Sequence, residues 1–318
     1  MPSVTVVIAA RPDQTEIQAV PAARALDYPA DKLEIILARG KQPSVQRNAA
    51  IKEARGDLIY FLDDDSVPEP KNLRRIIGHF ADADIKMVGG PAICPADAPA
   101  LEQIFALVLG SWLAFGPSRA RYTPVGTVRQ TSEKELILCN LVARRQAPVD
   151  LGGFNEKLYP NEENALMDEL QARGGKLLYD SQLVVRRRPR RTLKAFAKML
   201  MTYGRGRAEQ IRETPTLGSA LNFVPPLFLL YLVLLIPATI WKGSIVILPL
   251  ILYLGAVLVQ VAALTRIAKP RQCLPAIPLI ILTHILYGFG FWRGLCTKLR
   301  PPRAGDANVT VERVSLND

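Results

Sequence analysis

Short apolar runs recur through the first half of the chain, separated by polar stretches that carry glycine or proline, and three far longer ones follow residue 220. Val4–Ala10, Leu33–Leu37 and Leu58–Leu62 are apolar without alternation, the pattern of strands buried on both faces. Between them, Asp13–Leu26 and Ser44–Ala54 read as helices. Asp13 has Glu16 three residues on, as in a capping box, and Ser44 follows Pro43 as an N-cap. Strands alternating with helices of this length predict a parallel, doubly wound sheet. Asn72–Ala81 continues as helix and Lys86–Val88 as strand. Leu101–Phe115 is a helix-like apolar run, too short to span a bilayer, and reads as packing on the sheet in preference to lying at a membrane surface. Glu135–Ala143 reads as a later strand, Asn161 as the cap of a helix ending near Ala172, and Leu177–Tyr179 and Leu183–Val185 as short strands. Thr192–Tyr203 interleaves Leu193, Phe196, Met199, Leu200 and Tyr203 with Lys194 and Lys198, which suits a helix lying on a bilayer and is also the pattern of an ordinary surface helix.

The long runs are Asn222–Trp241, Ser244–Thr265 and Leu274–Trp292. A helix of about 20 residues spans roughly 30 Å, the thickness of a bilayer core. Trp241 and Trp292 stand where interfacial anchors belong. The expected organisation is a cytoplasmic α/β domain over 1–215, ending in a basic interfacial segment at about 186–215. A membrane region of two to three helices (216–295) and a polar tail (296–318) follow. The opening residues lead straight into the first strand without a signal peptide, so the first 220 residues are expected in the cytoplasm, held at the inner membrane.

Charge sharpens this picture. The chain carries a formal +11, and residues 182–215 concentrate Arg186, Arg187, Arg188, Arg190, Arg191, Lys194, Lys198, Arg205, Arg207 and Arg212 against only Glu209 and Glu213. A basic belt ahead of a membrane region fits the positive-inside rule and anionic lipid headgroups. It offers no nucleic-acid recognition module, so nucleic acid is not an expected partner. If all three long runs cross, the C-terminus lies outside, yet it opens with Arg293, Lys298, Arg300 and Arg303, which argue for inside. Pro225-Pro226 and the small, polar residues around His284 make the first and third runs the suspects for not crossing. Two histidines, His79 and His284, exclude a His-rich zinc site. His284 reads equally as a functional group or as a helix-packing one. Cys94, Cys139, Cys273 and Cys296 lack paired metal spacing and read as reduced thiols.

The most informative chemistry is Asp63-Asp64-Asp65, three consecutive carboxylates at the end of the strand Leu58–Leu62. Open α/β sheets bind ligands at the carboxyl ends of their strands. Three adjacent anions repel one another, and a hard divalent cation carrying a diphosphate resolves that repulsion.

With Ser44-Val-Gln-Arg-Asn-Ala-Ala-Ile-Lys-Glu-Ala-Arg-Gly-Asp57, the aspartate triplet followed by Pro68 and Pro70, Gly152-Gly153-Phe154-Asn155-Glu156, and Glu162-Glu163-Asn164-Ala165-Leu166 in this order, the chain resembles family 2 glycosyltransferases over about residues 3–210. These are inverting, nucleotide-sugar-dependent enzymes of GT-A fold, a Rossmann-like nucleotide-sugar-binding α/β domain. With the C-terminal transmembrane helices, the chain is similar to the membrane-associated bacterial members that build exopolysaccharide and cell envelope. The resemblance implies that Asp65 ligates a divalent metal, Mg²⁺ or Mn²⁺, with Asp63 or Asp64 sharing it or contacting the ribose. Ala9, Ala10 and Arg11 would border the nucleoside, and Arg47 and Asn48 would lie near the donor, Arg47 balancing diphosphate charge. Glu163 stands in the place of the family's base and Glu162 is the alternate. A lipid-linked acceptor such as a polyprenyl phosphate, together with membrane lipids, completes the implied partners.

Three positions depart from the pattern. Ala38-Arg39-Gly40 lacks the acidic residue that reads the nucleobase. Arg186-Arg187-Arg188 replaces a histidine near the metal, and Arg187 could contact diphosphate but cannot ligate metal. Tyr203-Gly-Arg-Gly-Arg207 stands where processive synthases carry Gln-x-x-Arg-Trp, which argues against a long-polymer synthase. An alternative compatible with these departures is a catalytically inactive membrane adaptor built on the same fold.

Overall fold

The computed structural model describes residues 1–215, 217–299 and 301–316. In chain order, β1 (Val4–Ala10), α1 (Ala19–Arg24), β2 (Leu33–Arg39), α2 (Pro43–Glu53), β3 (Leu58–Asp63), β4 (Val67–Pro68), α3 (Asn72–His79), β5 (Ile85–Gly89) and β6 (Ala92–Ile93) open the chain. Two short helices, α4 (Ala100–Leu109) and α5 (Trp112–Phe115), follow. Next come β7 (Arg129–Thr131), β8 (Leu141–Arg144), α6 (Gln146–Asp150), α7 (Glu162–Ala172), β9 (Lys176–Tyr179) and β10 (Val185–Arg186). The remainder is α8 (Leu193–Glu213), α9 (Val224–Lys242), α10 (Leu248–Leu264), α11 (Pro270–Cys273), α12 (Ala276–Cys296) and a last strand, β11 (Thr310–Val314). The chain divides into two compact units: Met1–Pro95, Ala120–Arg188 and Leu299–Asp318 form the first, and Ala96–Arg119 with Pro189–Lys298 form the second.

The first unit is built on an eight-stranded sheet in the order β11-β2-β1-β3-β8-β5-β9-β7, with β4-β10-β6 as a small second sheet. β1 pairs parallel with both β2 and β3. The sheet is mixed rather than parallel throughout, because β8 runs antiparallel to β3 and β5, and β11 antiparallel to β2. Both faces are covered, which explains the unbroken apolar strands. Val4, Val6, Ile8 and Ala10 of β1 face one layer, with Ala19, Ala23, Leu73 and Ile76 of α1 and α3. Val7, Ile36 and Phe61 face the other, with Ala50 and Ile51 of α2 and Leu166, Met167 and Leu170 of α7.

Several boundaries differ from the sequence reading, each for a local reason. Residues 13–18 are not helical; the Gln14 amide donates to the Glu16 carbonyl and to Asp64, and the helix begins only at Ala19. α2 is capped by Gln42, whose side chain accepts from the Val45 N–H, while Ser44 is buried within the helix. The strand expected over Glu135–Ala143 is confined to β8, because residues 138–140 form a 3₁₀ turn. There the Asn140 side chain is drawn inward to the carbonyls of Pro91 and Leu183. Asn161 precedes α7 but in the left-handed region (φ 90°), and its side chain accepts from Asn164 instead of capping the helix. Residues 101–115 belong to the second unit rather than to the sheet and form two helices bent by 62°.

Among the described residues, three helical segments of the second unit are long and apolar enough to cross a membrane: Ala220–Lys242, Ser244–Leu264 and Pro270–Cys296. His284 has a packing role. Its Nε2 bonds the Leu113 carbonyl and its Nδ1 the Tyr253 hydroxyl, while Gln260 accepts from the Leu113 N–H, so the backbone freed at the bend before α5 is satisfied. All four cysteines are free thiols.

Candidate active site

The aspartate triplet lies at the carboxyl end of β3, where Asp63 pairs in register with Ala9 of β1. The chain then turns, with the Ser66 N–H donating to the Asp63 carbonyl, and enters β4. The turn separates the three side chains. Asp63 accepts from Arg47 Nη2 at 2.8 Å through one oxygen and pairs with Arg187 Nη2 at 3.0 Å through the other. Asp65 accepts from Arg187 Nε at 2.6 Å. Asp64 accepts from the Gln14 amide. Desolvation lifts the Asp65 carboxyl above its ordinary range, and neighbouring Asp63 and Asp64 add to this against the opposing pull of Arg187.

Arg47 joins this turn to the second acid cluster. It projects from α2, its side chain is only 7% exposed, and its Nη1 donates to Glu162 at 3.1 Å. Glu162 and Glu163 occupy the first turn of α7, where the helix dipole favours negative charge. Their environments differ. Glu162 is buried to 3% exposure, and its second carboxylate oxygen has no hydrogen-bond partner. Burial first, and the neighbouring Glu163 next, push its pKa well above the carboxylate range, with Arg47 only partly offsetting them. Glu163 is half-buried and adds to the field on Arg47. Glu162, Arg47, Asp63, Arg187 and Asp65 thus form one ionic chain between two acid clusters roughly a hundred residues apart in sequence.

Asn48, next to Arg47 on α2, holds the glycine turn. Its Nδ2 donates to the Phe154 carbonyl and to Glu156, and its Oδ1 accepts from the Phe154 N–H. Gly153 adopts φ +88°, and a Cβ there would fall 2.4 Å from Asn48 Oδ1, so only glycine fits. At the end of β1, Ala10 is buried, Ala9 is half-buried and Arg11 is exposed. Gln46 ties the ends of β1 and β2 by donating to the carbonyls of Ala10 and Ala38, both at 2.7 Å.

A divalent cation of the Mg²⁺ type is commonly held by one or two carboxylates together with substrate phosphates. Asp65 and the adjoining Asp64 supply that donor chemistry, so the residues present fit a cation shared with a bound diphosphate. Among the described residues, no group of three or more His, Cys, Asp or Glu side chains converges to hold a metal unaided. Both oxygens of Asp63 already face guanidinium groups, which leaves Asp65 the better-placed ligand.

Sequence reasoning brought together the acid clusters and Arg47, Asn48 and Arg187, but two of these have other duties. Arg47 is buried between carboxylates, and the Asn48 amide is engaged with the glycine turn. Two features escaped it. Gln14 reaches Asp64 from a stretch read as helix. Arg39, one of the departures noted above, pairs with Glu312 at 3.1 Å on β11, a strand formed by the tail. The alternating Thr310–Val314 was the available signal for that strand, obscured by the polar composition around it.

Comparison with known proteins agrees with this architecture. Residues 15–103 match the family described as glycosyl transferase family 2. Over 164 residues the chain is 26% identical to the pre-mycofactocin glycosyltransferase of two Mycobacterium tuberculosis strains, CDC 1551 / Oshkosh and ATCC 25618 / H37Rv. That alignment covers 52% of this chain, and the chain spans about a third (34%) of the length of those relatives. In structure it is similar to the mannosyltransferase PcManGT of Pyrobaculum calidifontis, solved with GDP-Man and Mn²⁺. The TM-score is 0.53 at 16% identity, over 92% of this chain and 87% of that one. With its ordered acid motifs on a sheet of this topology, the chain has the GT-A fold and is similar over residues 15–103 to glycosyl transferase family 2.

Proposed function

We propose that the protein transfers one sugar, with inversion, from a nucleotide-sugar donor to a lipid-linked acceptor at a bilayer, as a step in polysaccharide or cell-envelope glycan synthesis. The observation that carries this reading is the ionic chain through Arg47, which joins the two acid clusters needed on opposite sides of a transferred sugar. Glu163 is the base that takes the proton from the acceptor hydroxyl. Glu162 is a positioning residue, since it is buried and committed to Arg47. Asp63 holds Arg47 and Arg187 in place, and Asp65 holds the divalent cation. When bound, that cation stabilises the departing nucleoside diphosphate. Arg187 releases Asp65 as the donor loads and turns its charge to the diphosphate. The relatives named above support the donor class, while the sugar and nucleobase are left to assay. The basic amphipathic α8 and the apolar helices support a site at the cytoplasmic face of an inner membrane.

One observation favours the adaptor reading instead: Arg187 occupies the Asp63–Asp65 pair as a built-in cation. A single experiment separates the two. The full chain, purified in detergent, is offered a panel of nucleotide sugars with Mg²⁺ or Mn²⁺ and a lipid extract as acceptor source. The enzyme reading expects metal-dependent release of nucleoside diphosphate from one donor, abolished in Asp65→Asn and lowered at least ~100-fold in Glu163→Gln. Full turnover in Asp65→Asn would refute the assigned cation role. Absence of both turnover and nucleotide binding would establish the adaptor.

A further inference from the structure

The three apolar segments cannot all cross a bilayer, because the chain returns to the sheet it came from. β11 pairs antiparallel with β2 over five residues, from Thr310 opposite Arg39 to Val314 opposite Ile35. Arg313 adds ion pairs to Glu34 at 3.1 Å and to Glu53 at 3.2 Å, and Val311 and Val314 pack into the core on opposite faces. Residues 35–39 and 310–314 therefore lie on the same side of any membrane. The number of crossings between them is even.

The bent pair α4–α5 adds none. It leaves the first unit after Pro95 and rejoins it at Ala120, and its ten-residue helix α4 is only about 15 Å long, half a bilayer core. α8 adds none either, because seven of its 21 residues are charged: Lys194, Lys198, Arg205, Arg207, Glu209, Arg212 and Glu213. Charges at the bilayer centre are strongly disfavoured, and seven of them exclude a spanning α8. Of α9, α10 and α12, then, one stays out.

Packing identifies which. Only 6% of the apolar stretch of α9 and 11% of that of α10 is buried within protein, against 44% for α12. α9 and α10 expose large apolar side chains such as Val233, Ile236, Ile240, Ile251, Leu252 and Val259. Their segments of 23 and 21 residues correspond to about 32–35 Å, enough to span. α12 instead runs parallel to α8 at close range. A Cβ on Gly204 would fall 2.0 Å from the Tyr287 carbonyl, one on Gly290 2.0 Å from that of Met201, and one on Gly294 2.4 Å from that of Arg205. Arg212 caps this contact by donating to the carbonyls of Gly294 at 3.0 Å and Thr297 at 2.5 Å. A helix fixed backbone-to-backbone along a charged interfacial helix shares its depth.

We propose that the chain crosses the bilayer twice, as the α9–α10 hairpin alone, with α12 lying in the interface along α8 and both chain ends on one side. The hairpin's distal turn carries one cation, Lys242, stacked over Trp241, whereas the loop after α10 holds Arg266, Lys269 and Arg271. That asymmetry puts the chain ends in the cytoplasm. The inference shares with the proposed function only the premise that these helices enter a bilayer.

The test is labelling by a membrane-impermeant maleimide of the full chain, expressed in bacterial cells, in spheroplasts and after lysis. Single cysteines are placed in a Cys296→Ser background, whose own signal sets the baseline from Cys94, Cys139 and Cys273. Ser244→Cys in the distal turn is expected to label in spheroplasts. Lys269→Cys and Ser315→Cys are expected to label only after lysis, and Asn308→Cys substitutes where Ser315→Cys perturbs the tail strand. Labelling of residue 315 or 308 in spheroplasts, or protection of residue 244 until lysis, overturns the proposal. Labelling does not depend on turnover, so an inactive protein with the expected pattern would sink the enzyme reading and leave the two-crossing topology standing.

Discussion

Replacing Arg47 by methionine tests the ionic chain at its most constrained link. The Arg47 side chain is 7% exposed and serves Asp63 at 2.8 Å and Glu162 at 3.1 Å, the latter only 3% exposed. Methionine preserves much of the volume and removes the cation. Glu162 then loses its ion-pair partner, while its second oxygen is already unpaired. Breaking a buried pair from one side typically costs about 3–5 kcal/mol. For a domain of this size each kcal/mol shifts the melting temperature by roughly 2–4 °C, so the expected drop is about 6–20 °C. The assay is thermal unfolding of detergent-purified protein followed by near-ultraviolet circular dichroism. The pH dependence carries the diagnosis. Without the cation, the already raised folded-state pKa of Glu162 rises further, so the folded variant holds its proton to higher pH. Its deficit is therefore smallest below about pH 8, where Glu162 is protonated with or without the cation, and widens above it as wild-type Glu162 ionises beside Arg47. Adding Glu162→Gln to the variant should recover part of the loss. A variant melting within about 2 °C of the wild type at both pH 7 and pH 9 would falsify the argument, because a buried guanidinium between two carboxylates could not then be balancing them.

Three further outcomes follow from the same geometry. In the wild type, the raised pKa of Glu162 means the folded chain holds a proton that the unfolded chain releases near pH 4.5, so stability should fall as pH rises above that value; Glu162→Gln should flatten this slope in a series of melts, and an unchanged slope would contradict the burial argument. Gly153→Ala introduces both a positive-φ strain and a Cβ 2.4 Å from Asn48 Oδ1, and should lower stability by about 1–3 kcal/mol; chemical denaturation reads this, with a loss under ~0.5 kcal/mol counting against the Asn48 clamp. Truncation after Ala307 strips β11 from the edge of β2, uncovering an apolar strand edge; the expected result in size-exclusion chromatography is aggregation or faster amide exchange in β2, and an unaffected monodisperse protein would show the strand to be dispensable.

Much of the site was legible in the sequence because its parts are local. The aspartate triplet needs only a buried strand ahead of it, and Leu58–Leu62 announces one by composition. Glu162 and Glu163 need only a helix start, which α7 provides. The long apolar helices follow from length and lack of charge alone. What the sequence leaves open depends on which distant groups meet in space. Nothing in the one-dimensional pattern assigns Arg47 to Asp63 and Glu162 together, since that requires α2, β3 and α7 to converge. Nor does it separate Glu162 from Glu163; adjacent identical side chains differ only in burial, which tertiary packing sets. The tail reads as polar, and its strand exists because the edge of β2 supplies unpaired backbone groups for it to bond. That pairing, not hydropathy, decides the parity of membrane crossings, and close contact with α8 selects α12 as the helix left out. Local segments encode their own preferences for strand, helix or lipid, whereas charge compensation and topology arise from contacts between segments far apart in the chain.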